Sequence, residues 1–311
     1  MTDSAPTSPT SIPMTETRQS GEEIGLVGIG LVGSALAQRL LESGYGVVGY
    51  DLDPAKGAQL EHWGGKAVAN PAEVAGRTRR VVLSLLDSAV VGQVVEGEQG
   101  LLSAASPPQA ILDTTTGDPD QTAALAGRLA TRGITYLDAT LSGSSAQIRQ
   151  HTCTLMVGGS PEQVAAHRDL LQVFSPRLHH LGPAGSGARA KLAVNLVAGL
   201  NRVVLAEGLV FADKLGLELR AFLALLLDSP AYSAAMDAKG SKMLAGDFVP
   251  QSRVRQHLKD VELILQYARQ AGQELPLSEV HRHLLAAAVA AGDGELDNAA
   301  VIRELRRRGA P

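Results

Sequence analysis

The chain has 311 residues, 45% of them hydrophobic, which is length and apolar content enough for two cores, and its 33 glycines with only 3% aromatics suit a tightly turned α/β protein. A formal net charge of −4 gives no electrostatic case for a nucleic-acid partner. Cys153 is the single cysteine, so a disulfide framework and a cysteine metal cluster are both excluded, and a reduced, cytoplasmic setting is expected.

Segment 1–21 is rich in Ser, Thr and Pro and lacks the apolar core of a signal peptide, so it reads as a disordered tail, within which Met14 is an alternative start. No run of about 20 charge-free apolar residues follows, and no membrane association is expected. Glu23 to Val27 reads as a strand that enters Gly28-Ile29-Gly30-Leu31-Val32-Gly33, after which a helical pattern runs from Ser34 to Ser43. The first glycine permits a tight turn, the second lets a pyrophosphate approach the backbone, and the third lets helix pack on strand, with the helix N-terminus facing the anion. A second strand, Tyr45 to Tyr50, ends in Asp51, 18 residues beyond Gly33, where an acid that bonds a ribose is expected. Asp51 accepts from ribose hydroxyls and repels a 2′-phosphate, and Leu52 and Asp53 supply no cation to welcome one, so NAD is favoured over NADP. The alternative role of Asp51 is to cap the turn before Pro54.

The α/β rhythm continues with a strand at Arg80 to Leu85, a helix at Ser88 to Glu96, a strand at Ala110 to Asp113 and a helix at Pro119 to Thr131. Leu85-Leu86-Asp87 and Thr114-Thr115-Thr116-Gly117 fall where strand C-termini meet ligand in an open parallel sheet, although each threonine serves equally well as a turn residue. Tyr136 begins a strand that runs through Asp138 into the small-residue loop Ser142-Gly143-Ser144-Ser145, whose uncovered N–H groups and hydroxyls can form a nest for a small anion. A strand at Thr152 to Val157 follows. His151, His179 and His180 lack metal-ligand spacing and are read as structural or surface groups; no metal site is expected.

Gly182-Pro-Ala-Gly185-Ser-Gly187 leads into a proline-free apolar run from Ala188 to Leu215, which reads as one long helix. Lys191 and Asn195, four residues apart, share one face of it, beside the apolar positions Leu192, Leu196, Leu200 and Val203. Lys191 therefore either snorkels to water or occupies a pocket that tunes its pKa. From there the chain reads as helical throughout: Leu219 to Leu227, Arg253 to Ala271, Leu277 to Ala291 and Ala299 to Arg308, the last ending in the solvated run Arg303, Arg306, Arg307 and Arg308. The expected fold is thus α/β, a Rossmann-type doubly wound parallel sheet over 22–184, joined by the long helix to an all-α C-terminal domain over 185–311, with the site in the cleft between them.

With these motifs in order along about residues 23 to 308, the sequence resembles the β-hydroxyacid dehydrogenase family, which includes 3-hydroxyisobutyrate dehydrogenases and tartronate semialdehyde reductases and has the 6-phosphogluconate dehydrogenase-type fold. The resemblance places the cofactor on Gly28, Ile29, Gly30, Leu31, Val32, Gly33, Asp51, Leu85, Leu86 and Thr116, the last within Asp113-Thr114-Thr115-Thr116. It matches the family's substrate loop to Asp138-Ala139-Thr140-Leu141-Ser142-Gly143-Ser144, and its catalytic lysine and following amide to Lys191 and Asn195. In Lys259-Asp260-Val261 it implies that Lys259 reaches the cofactor. Departures from the family pattern are Ser144 and His151 for glycines, Thr140 and Leu86 for prolines, Val194 for an asparagine and Ser252 for an aromatic residue. Most of them surround the substrate, which implies retained chemistry on an altered substrate. The implied activity is an NAD-dependent interconversion of a small 3-hydroxy acid and its semialdehyde in a homodimer or homotetramer. The competing readings are an imine reductase, which Lys191 argues against, and a non-catalytic NAD-binding module.

Overall fold

The computed structural model describes residues 21–308, so the expected tail and the alternative start at Met14 lie outside the described residues, save Gly21. Eight strands form one sheet in the order β3-β2-β1-β4-β5-β6-β7-β8: β1 Glu23–Val27, β2 Gly46–Tyr50, β3 Lys66–Ala67, β4 Arg80–Leu83, β5 Ala110–Asp113, β6 Thr135–Ser142, β7 Thr154–Gly158 and β8 Arg177–His180. All neighbours are parallel except β6 and β7. The expectation of a parallel sheet is corrected at that one pair, where only a short excursion separates the two strands. Helices cover both faces: α1 Leu31–Glu42, α2 Pro54–His62, α3 Pro71–Arg77, α4 Ser88–Glu96, α5 Pro119–Ala130, α6 Ser145–Arg149, α7 Pro161–Ala166 and α8 Arg168–Phe174. One core gathers Leu36, Leu40, Ile148 and Phe174 against the sheet, and the other gathers Val74, Val95, Leu125 and Leu129 on the opposite face.

The central strands are short and continuously buried because helices lie on both sides, so they carry no alternation for a sequence reading to find. The order reverses between β1 and β4, and that switch point opens a crevice at the strand C-termini. The strand expected to reach Leu85 stops at Leu83; beyond it the Leu85 N–H donates to the Thr115 hydroxyl at 3.0 Å instead of to a strand carbonyl.

Helix α9, Ser186–Lys214, leaves the sheet and becomes the spine of the second half, followed by α10 Leu219–Leu227, α11 Ser241–Ala245, α12 Val254–Gln270, α13 Pro276–Ala288 and α14 Val301–Arg308. Val203, Leu209, Leu223, Met243, Val261, Leu285 and Ile302 form its core. Wide π turns at Met236–Gly240 and Val289–Asp293 went unanticipated; the second ends the helix expected to reach Ala291, with Gly292 at φ +88°. The terminal basic run is only partly solvated, since Arg303 and Arg307 both pair with the buried Asp293. By length and composition alone α9 could cross a bilayer, although charged side chains interrupt its apolar run as the sequence reading has it. Six charged residues, Arg189, Lys191, Arg202, Glu207, Asp213 and Lys214, lie along it, and it packs between the β6–β7 pair and helices α12 and α14.

Candidate active site

The turn after β1 is shaped by backbone that tolerates no side chains at two points and leaves a third open. Gly28 takes φ +90° and donates its N–H to the Tyr50 carbonyl at 2.9 Å. A Cβ on Gly28 would collide with the Ser84 carbonyl, and one on Gly33 with the Gly28 carbonyl, whereas one on Gly30 would meet nothing. Helix α1 starts at Gly30 with no side-chain cap and no acidic residue in its first turn. Its N-terminal N–H groups therefore have no side-chain acceptor, and the open space at Gly30 beside them fits a dinucleotide pyrophosphate. Asp51, at the end of β2, accepts from the Ile29 N–H at 2.6 Å and from the Asp53 N–H at 2.9 Å, so its carboxylate is anchored to the same turn. Asp53 caps α2 by accepting from the Ala55 N–H, while Asp51, in accepting from the Asp53 N–H, also holds the turn before Pro54, the alternative role that the sequence reading left open for it.

The ends of β4 and β5 line the other wall. Thr114 donates its hydroxyl to the Leu83 carbonyl at 2.7 Å, and Thr115 accepts from the Leu85 N–H at 3.0 Å, so these two threonines lock the loops together. Beneath them Asp113 accepts from the Tyr136 hydroxyl at 2.5 Å and from the Thr115 N–H; burial pushes its carboxyl up to about 6. Thr116 and Leu86 instead turn their carbonyls toward the second half. There Lys259 donates to the Thr116 carbonyl at 2.7 Å and to the Leu86 carbonyl at 3.0 Å. The Leu86 side chain stays 57% exposed on the crevice rim.

Strand β6 connects the substrate loop to the lysine helix. Midway along it, Asp138 accepts from the Gly185 N–H at 2.9 Å and from the Ala188 N–H at 2.8 Å, which caps α9 from inside the sheet. Gly187 presses so closely that a Cβ would lie 2.8 Å from the Met156 carbonyl. Thr140, in place of the family's proline, donates to the Gly187 carbonyl at 3.1 Å. At the strand end come Ser142 and Gly143, the latter at φ +151°. Ser144 caps α6: its N–H donates to Gln147 Oε1 at 2.8 Å and its Oγ accepts from the Gln147 N–H. Of the expected nest, the Ser144 N–H is therefore committed, and its hydroxyl proton remains to donate. His151, where the family has glycine, sits at φ +57°.

Lys191 lies one turn into α9. Burial lowers its pKa to about 8; Asp260 opposes that shift, and Arg202 and Lys259 add to it. Asn195 donates to Asp260 Oδ2 at 3.0 Å, and Lys259 pairs with Asp260 Oδ1 at 3.2 Å. Asp260 thus ties together Asn195, Lys259 and the field at Lys191, while burial raises its own pKa. The sequence reading assigned Asp260 no role. It also missed Gln256, which donates to the Leu86 carbonyl, and Tyr267, which donates to Asp118 at 2.7 Å across the same seam. A signal was present: Gln256, Lys259, Asp260 and Tyr267 recur at helical spacing on one amphipathic helix. Ser142 and Lys191 share no hydrogen bond among the described residues; Asp138 couples the elements that carry them.

Comparison with known proteins agrees with this geometry. Residues 23–182 match the NAD binding domain of 6-phosphogluconate dehydrogenase, and residues 185–305 match the NAD-binding domain of NADP-dependent 3-hydroxyisobutyrate dehydrogenase. The chain is 32% identical to 2-(hydroxymethyl)glutarate dehydrogenase of Eubacterium barkeri, over 90% of this chain and 94% of that one. It is 30% identical to L-threonate dehydrogenase of Cupriavidus necator, over 90% and 95%. A solved 3-hydroxyisobutyrate dehydrogenase from Salmonella typhimurium superposes with a TM-score of 0.83 at 26% identity, covering 91% of this chain and 99% of that one. With both halves matched and the hydroxy-acid relatives aligned nearly end to end, the chain belongs to the β-hydroxyacid dehydrogenase family of NAD(P)-binding oxidoreductases.

Proposed function

We propose that this protein is an NAD-dependent dehydrogenase that interconverts a small 3-hydroxy acid and its semialdehyde, with Lys191 as general acid and base. The observation that carries the reading is Lys191 itself, a desolvated lysine with a pKa lowered to about 8 and no carboxylate in contact among the described residues. Bound NAD supplies the hydride acceptor. Neutral Lys191 accepts the hydroxyl proton at Nζ as the carbinol hydride departs, and in the reverse direction its ammonium returns that proton to the aldehyde oxygen. Asn195, fixed by Asp260, orients the lysine or the substrate oxygen. Ser142, Gly143 and the Ser144 hydroxyl hold the substrate carboxylate. The preference for NAD rests on Asp51 and Asp53 together, with the 85% exposed Leu52 between them offering no cation. Several relatives act on hydroxy acids by name, which supports the substrate class.

A panel of small 3-hydroxy acids assayed with NAD and NADP, followed by reduced-cofactor absorbance, tests this reading. Oxidation needs neutral lysine, so wild-type kcat should rise with pH through about 8, while reduction, which needs the ammonium, should fall over the same range. Lys191→Ala should keep the fold and NAD binding and lose about 10² to 10⁴ in kcat; Lys191→Arg should not rescue it, because a guanidinium keeps its proton. A Lys191→Ala enzyme within a few-fold of wild type, with an unchanged pH profile, would remove the mechanism. Val197, Val204, Phe211 and Leu215 leave an exposed apolar stripe along α9, and we read it as the face covered by a second copy in a homodimer or tetramer. A stable monomer in light scattering would refute that part.

A further inference from the structure

Helix α12 grips the first half of the molecule at two points, and the second lies away from the reacting groups. At the first, Gln256 and Lys259 donate to the Leu86 and Thr116 carbonyls. The second is eleven residues beyond Gln256, about three turns on and so on the same face. There the Tyr267 hydroxyl donates to Asp118 Oδ1 at 2.7 Å and accepts from the Asp120 N–H at 3.1 Å. A single phenol oxygen thus serves as donor and acceptor across the seam.

Asp118 organises the loop it belongs to. Its Oδ1 also accepts from the Asp120 and Gln121 N–H groups, which caps α5, and its own N–H donates to Ser88 Oγ at 2.7 Å. Ser88 opens α4, so this bond joins the loop after β4 to the loop after β5. The junction is tightly packed: a Cβ on Gly117 would fall 2.4 Å from Ser88 Oγ, and one on Gly185, just before α9, would fall 2.8 Å from the Pro119 carbonyl. Lys259 therefore holds the near end of the β5–α5 loop at Thr116, and Tyr267 holds its far end at Asp118. Arg189 and Asp120 form an ion pair at the same corner, but both side chains are more than half exposed, so that pair contributes little.

We propose that Tyr267 is a positioning residue for the nicotinamide end of the cofactor: through Asp118 it sets where the β5–α5 loop stands relative to the helical half that carries Lys191. This rests on the dehydrogenase reading above and extends it to a residue remote from the reacting atoms. The strand order gives the reason that only one end of the cofactor is concerned. With the pyrophosphate on the turn after β1 and the adenosine ribose at Asp51 after β2, the nicotinamide falls on the other side of the switch point, at the ends of β4 and β5. Those ends are the ones that α12 grips. Hydride transfer is sensitive to displacements well under the size of an atom, and two grips about three turns apart fix the tilt of α12 as well as its distance from the loop.

The test compares NADH with ADP, which carries the adenosine and both phosphates but lacks the nicotinamide half, as ligands for wild type, Tyr267→Phe and Arg189→Met. Calorimetric titration should show wild type binding NADH more tightly than ADP. Tyr267→Phe should raise the NADH Kd by about tenfold or more, as expected on losing a hydrogen bond to a charged group, and leave the ADP Kd within about threefold. Its Tm should stay within about 2 °C of wild type, since one oxygen is lost from a half-buried ring. Arg189→Met should change neither affinity. Equal weakening of both ligands, an unchanged NADH Kd, wild-type binding of NADH no tighter than ADP, or the same loss in Arg189→Met would each overturn the role of Tyr267 while the dehydrogenase reading stands. A loss confined to NADH supports it even if no hydroxy acid is oxidised, an outcome that would sink the proposed function instead. Tyr267→Leu serves the same purpose if the phenylalanine variant does not fold.

Discussion

The two halves of the cleft are built on opposite principles. On the sheet side the ligand-facing surface is backbone: Gly28, Gly30 and Gly33 expose amides and a helix end, and Asp51 is lashed to the turn by two N–H groups. On the helical side it is side chain: Lys191, Asn195 and Lys259 come from α9 and α12, and the buried Asp260 bonds the latter two. A backbone surface is rigid and indifferent to what lies beyond the phosphates, so it suits an invariant cofactor. A side-chain surface has adjustable charges whose pKa values move with burial, so it suits proton transfer and substrate choice. Asp138 couples the two, since it sits in β6 and caps the helix that carries Lys191.

If the sheet side works by backbone shape, two glycine substitutions should separate folding from binding. In Gly33→Ala the new methyl has the Gly28 carbonyl in its way, so the loop must move, at about 1–3 kcal/mol. Its Tm should fall and its NAD Kd should rise by about 10- to 100-fold. Gly30→Ala meets nothing, and its φ of −69° suits alanine. Its Tm should stay at the wild-type value while NAD affinity falls, because the methyl occupies the approach of the pyrophosphate. Calorimetric titration beside thermal unfolding decides this; a Gly30→Ala protein that binds NAD as wild type does would show that the anion does not lie on that turn.

The same contrast explains what could be read in advance. The glycine turn, Asp51 and the strands ending at Val27 and Asp113 are local in sequence, where spacing alone constrains geometry, and the helices Ser88–Glu96 and Leu219–Leu227 fall on their expected bounds. The pairing of Lys191 with Asn195 follows from helical periodicity. The contacts of Asn195 with Asp260, of Lys259 with the Leu86 and Thr116 carbonyls, and of Asp138 with α9 span between 47 and 173 residues, and no local pattern encodes them. Arg202 stayed hidden for a further reason. A charged residue in an apolar helix reads as a surface group until burial is known, and only the missing partners mark it as unusual.

The smallest expected effect concerns the cofactor's ribose and sharpens the contrast from the sheet side, because Asp51 is the one charged side chain assigned to the cofactor there. Its two oxygens also hold the Ile29 and Asp53 amides, so Asp51→Ala would loosen the turn as well as remove charge. Asp51→Asn isolates the charge, since the amide oxygen still accepts from one of those N–H groups. Hydrogen bonds to a charged group contribute about 1.5–3 kcal/mol, so the preference for NAD over NADP in kcat/KM should narrow by about tenfold or more. Most of the change should be a gain with NADP, whose 2′-phosphate no longer meets a carboxylate at Asp51, although Asp53 remains and should keep the preference from reversing. The pH profile assigned to Lys191 should not move, because that ionisation belongs to the helical side. A wild-type enzyme that already prefers NADP would show that Asp51 does not bond the ribose and serves only to hold the turn.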